Sequence, residues 1–99
     1  MNIYTLRSKS LEFMNVPFYE ADDVSVFNLL RNVVMNGADV SLVNNLDDLE
    51  LLCIGVFDTK EGIIKAKVRK VIDLVDIPDI IRMREEVSSR VSNPTAPGK

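Results

Sequence analysis

Histidine and tryptophan are absent from this 99-residue chain, and cysteine occurs once. Without histidine, Ser-His and Cys-His catalysis are excluded, and zinc loses the imidazole and thiolate set that usually holds it. The lone Cys53 cannot close an internal disulfide; inside its apolar run it reads as a small hydrophobe. No run approaches the roughly 20 apolar residues that a membrane helix needs. The opening MNIYTLRSKSLEF has no apolar signal core. The expectation is a soluble, intracellular, non-enzymatic protein with no cofactor, no metal and no membrane partner.

Acid–base chemistry would fall to carboxylates. They occur as neighbours, Asp22-Asp23, Asp47-Asp48 and Glu85-Glu86, and adjacent side chains diverge on a helix or a strand. Capping, turns and solvation explain such pairs. What the chain does have is 46% hydrophobic residues. That suffices for one modest core, expected over residues 1–92, with a loop-like tail at 93–99.

Charge is uneven. Residues 1–50 carry three basic and eight acidic side chains, residues 51–99 nine basic and seven acidic, for a net −3. That total argues against coating DNA by bulk charge. A mildly basic half beside an acidic one suggests a face for an anionic partner, although a merely solvated surface has the same composition.

The pattern predicts an α+β fold: a small, mainly antiparallel sheet of about four strands, one helix between strand pairs, and a C-terminal helix. NIYTLR and LEFMNV read as two short strands, the second closed by Pro17. ADDVSVFNLLRNVVMNG reads as a helix, capped by Asp22 or Asp23 and stopped by Gly37. ADVSLVNNLDD is a turn-rich connection with room for one helical turn. LELLCIGVF is apolar on both faces, as a central strand covered on two sides would be. A second helix is expected from Asp76 and Pro78 through IPDIIRMREEVSSRV.

The segment DTKEG, ending in glycine between two β-like runs, is a hairpin turn. It has neither the spaced acids of a calcium loop nor the lysine-hydroxyl ending of a phosphate loop. Gly55 in the strand before it marks a bulge or a close backbone approach. After the turn, Ile64, Ala66 and Val68 alternate with Lys65, Lys67 and Arg69, and Lys70 follows. Residues two apart on a strand are roughly 6.6 Å apart, a spacing that can follow phosphates. Lysines that merely blunt an exposed edge look the same. Lys60, Arg82 and Arg84 are candidate helpers. Tyr4 and Tyr19 are the rings expected to be exposed for base stacking, with Phe27 and Phe57 read as core.

Ile3-Tyr4, Val16-Pro17-Phe18-Tyr19, Asp22-Asp23 and LCIGVFD with Gly62 together resemble the small nonstructural, DNA-binding protein of gokushovirus-type microviruses, over residues 1–64. The resemblance implies a phage accessory protein in the bacterial host cytoplasm. It would bind DNA, single-stranded by expectation, during genome replication or the switch to single-strand synthesis and packaging. Asn28 and Glu50 stand where the family is expected to carry basic residues. That moves the expected DNA contacts to the strand at 60–70. The competing expectation is a scaffolding module that self-associates, through the last helix or an edge strand, into a dimer or higher oligomer and recruits phage or host replication proteins.

Overall fold

The computed structural model describes residues 1–37 and 39–92, the side chains of residues 90–92 excepted. The tail expected at 93–99 and the Arg90 and Val91 side chains lie outside that set.

Twin aspartates start the first helix, and each has its own task. The Asp22 carboxylate accepts the Ser25 N–H at 2.9 Å, while Asp23 opens the first turn of α1, Asp23–Asn36. Gly37 ends α1 at φ 59°, its N–H turned back to the Val33 and Val34 carbonyls. Val26, Leu30 and Val34 recur at helical spacing and are the buried stripe of α1. The acidic connection folds into a short helix, α2 (Val40–Asn44), with the Asp39 carboxylate accepting from Leu42 N, then a 3-10 turn at Leu46–Asp48.

Five strands form one antiparallel sheet: β1 (Asn2–Ser8), β2 (Phe13–Met14), β3 (Phe18–Glu20), β4 (Leu49–Asp58) and β5 (Ile63–Asp73). The order is β2-β1-β4-β5, with β3 sharing the outer edge of β1. β4 is central, as its two apolar faces predict. The strand expected over 11–16 shrinks to Phe13 and Met14, and β3 forms beyond Pro17, where the sequence suggested an end. β2 ends at Met14, three residues before Pro17. The three residues of β3 are strand because their backbone meets β1 from Asn2 to Tyr4.

The expected turn is present. The Asp58 carboxylate accepts the Lys60 and Glu61 N–H groups, and Gly62 takes φ 70°. At the other end of β5 a 3-10 turn, Leu74–Asp76, precedes α3, Ile80–Ser92. α3 therefore starts later than Asp76 and Pro78 suggested, because Asp79 adopts φ 69° and turns the chain first. Arg31 on α1 donates to the Pro78 carbonyl at 3.2 Å and ties this turn to α1.

α1 and α3 pack together over one side of the sheet. The core between them holds Tyr4, Leu6, Leu30, Leu46, Leu51 and Ile80 among others. Each fully buried side chain of this kind contributes roughly 1.5–3 kcal/mol. Cys53 lies in the same core, its thiol directed at the Gly55 carbonyl at 3.6 Å.

Candidate nucleic-acid interface

β5 pairs with β4 and, among the described residues, has no further strand outside it. From Ile63 to Lys70 every residue is exposed. The hairpin of β4 and β5 is thus an arm whose β5 strand is bare on both sides over this stretch, while β1 flanks β4 as far as Phe57. Its sides can be told apart. Arg69 donates to both oxygens of Asp23, at 3.2 and 2.9 Å, so it lies on the side of α1. Period-two alternation keeps Lys67 and Lys65 there and turns Ile64, Ala66 and Val68 away. Phe57, opposite Ile64, meets Tyr19 edge-on at 5.9 Å, and Tyr19 lies opposite Ile3, outside the core beneath α1. Those residues share the side away from the helices.

The ribbon bends where one step of β1 (Tyr4 to Ile3) faces two of β4 (Cys53 to Gly55) and three of β5 (Arg69 to Ala66). Odd steps in β1 and β5 preserve their alternation, so the bulge falls on β4 at Ile54. Gly55 permits it: a Cβ there would lie 2.6 Å from the Lys65 carbonyl oxygen. This is the close approach the sequence suggested.

Carboxylates divide the expected cations into two classes. Arg69 is held by Asp23. Lys70 meets Asp73 at 2.9 Å and the buried Glu50 at 3.4 Å, Arg82 meets Glu86 at 3.0 Å, and Arg84 lies 3.8 Å from Asp47. Asp23 sits below the usual carboxylate range, chiefly through the Arg69 hydrogen bonds, and Lys70 is pushed up, chiefly by Asp73. These four are therefore not the unclaimed cations that the sequence suggested: Arg69 and Arg84 meet carboxylates of other elements, Arg82 meets those near it in the chain, and Lys70 meets one of each kind. Among the described residues no carboxylate lies within ion-pair distance of Lys60, Lys65 or Lys67.

The aromatic candidates also separate. Tyr4 is a correction: it is fully buried, stacked on Phe18 at 6.1 Å, with its hydroxyl donating to Asp23 at 2.6 Å. Its polar tip finds a carboxylate instead of water, and burial first, Asp23 second, push it up to about 12. Tyr19 is half exposed. Phe57, read as core, lies outside it against Tyr19. Sequence reasoning gave no hint of Asp23 as the clamp on Arg69, 46 residues away. It also missed the exposure of Leu11, Phe13 and Val16; their place between a turn and a proline was the available signal.

Comparison with family models, curated proteins and solved structures finds no match for this chain. Among the described residues no helix is long and apolar enough to cross a membrane.

Proposed function

We propose that this chain is a non-enzymatic DNA-binding accessory protein, of the kind made by small single-stranded-DNA phages in the cytoplasm of a bacterial host. Its β4–β5 arm would lay Lys60, Lys65 and Lys67 along the phosphates of a single strand. The observation that carries this reading is that, among the described residues, no carboxylate pairs with Lys60, Lys65 or Lys67, and that β5 is exposed from Ile63 to Lys70. Tyr19 faces the other way, so phosphate contacts rather than stacking provide the affinity, and sequence preference is weak. The resemblance of residues 1–64 to the microvirus protein supports the same reading.

With three phosphate contacts, log K should fall with log salt at a slope of about −2 for single-stranded DNA. Fluorescence anisotropy of a labelled 20-mer tests this. Lys65→Glu/Lys67→Glu should weaken binding at low salt by more than about tenfold. Arg82→Gln, whose guanidinium already has Asp79 and Glu86, should bind as the wild type does. Absence of wild-type binding at low salt, or an unchanged affinity in the double variant, rejects the proposal.

A second reading, a protein-interaction module that self-associates, is favoured by the apolar side of the arm, where Ile64 is 58% and Val68 65% exposed.

A further inference from the structure

Two exposed apolar surfaces lie at opposite ends of β4. At the Asp58 end is the arm, with Ile63, Ile64 and Val68 uncovered. Residues 58–70 carry five basic and two acidic side chains, a net +3. At the Leu49 end is a cleft of about 540 Å³ between α2 and the β2 segment. Leu6, Leu42 and Leu49 form its buried base, and Leu11, Phe13 and Val16 its exposed wall, Val16 being 85% exposed. Asp39 and Asp48 are the charged groups among its described lining, and none of that lining is basic. Lys9, beside Asp48, is itself paired with Asp73. The cleft is of the size that takes a few apolar side chains, and its rim has the sign opposite to the arm.

We propose that the arm of one copy of this chain docks in the acid-rimmed apolar cleft of a second copy. The inference rests on the self-association reading and not on DNA binding. Nine strand steps separate Leu49 from Asp58, roughly 30 Å, so a chain cannot fill its own cleft. Pairing two β5 edges about a twofold axis is disfavoured, because it brings Lys65 and Lys67 of one copy beside Lys65 and Lys67 of the other. Arm into cleft brings positive to negative and covers both apolar surfaces. Such a head-to-tail contact uses different patches on the two partners, so it propagates into an open chain or closes as a ring.

Sedimentation velocity without nucleic acid, at low salt and over a range of concentrations, tests this. Wild type should form species larger than a dimer. Ile64→Asp damages the arm alone and Val16→Asp the cleft alone, and each should be monomeric, with association at least about tenfold weaker. An equimolar mixture should yield a one-to-one dimer and nothing larger, because one intact arm then meets one intact cleft. That recovery also shows both variants folded. A wild type that stays monomeric overturns the proposal. So does a mixture that stays monomeric while both variants keep the wild-type thermal transition. An association abolished by Ile64→Asp but untouched by Val16→Asp would mean arm-to-arm pairing and overturns it as well. The anisotropy titration is independent, so either reading can fail without the other.

Discussion

Replacing Tyr4 by alanine is expected to cost about 3–5 kcal/mol of folding stability, a large share of the ~5–15 kcal/mol typical of a domain. The ring is fully buried between the sheet and α1 and stacks on Phe18. Its hydroxyl donates to Asp23, the same carboxylate that receives Arg69. Tyr4→Phe keeps the ring and removes that hydrogen bond, for about 1.5–3 kcal/mol. Urea unfolding of the three proteins orders them.

The pH response separates the two contributions. The folded-state pKa of Tyr4 is raised, from 10.0 to about 12. The stability it supplies is therefore complete below pH ~10, its unfolded value, and disappears as pH climbs toward 12. Asp23 is lowered, chiefly by Arg69. Its contribution is present above the ordinary carboxylate value near ~4 and is lost as pH falls through the depressed one. Asp73, lowered mainly by Lys70, acts in the same direction. Tyr4→Phe should thus flatten the alkaline limb of stability against pH and keep the acid limb, because Arg69 remains. An alkaline limb as steep as that of the wild type would show that Tyr4 does not titrate as its surroundings require.

Gly55→Ala is the second large effect, about 2–3 kcal/mol by overpacking. The new methyl would sit 2.6 Å from the Lys65 carbonyl oxygen and 3.5 Å from the Ala66 Cα. Those are backbone atoms, so the clash is relieved only by parting β4 from β5. Gly62→Ala is the control: it meets open space but has φ 70°, a backbone cost of about 1–2 kcal/mol. Amide exchange should accelerate across residues 56–66 in Gly55→Ala and remain slow in α1. Equal losses for the two glycines, or unchanged exchange in the arm, would argue against steric closeness at Gly55.

What could be read from the sequence was what lies within a few residues of itself. Asp22 and Gly37 bracket α1 because a cap and a left-handed stop act locally. The Asp58 turn was legible for the same reason, and the doubly apolar run marked β4 as central. β3 was not legible: three residues carry no period, and only β1 makes them a strand. Nor was the Arg69–Asp23 pair, since no periodicity joins residues that far apart. Alternation gave the two sides of β5 correctly but not which of them faces α1, because that depends on where α1 sits. Tyr4 misled because a hydroxyl suggests water, and here a carboxylate stands in its place.

Cys53 is the chain's single thiol, sealed in the core beside the bulge and directed at the Gly55 carbonyl. An alkylating reagent dissolved in the buffer can reach it only while the layers around it are apart. The pace at which the native protein acquires one covalent tag is therefore a clock for that opening, with no second sulfur to blur the reading.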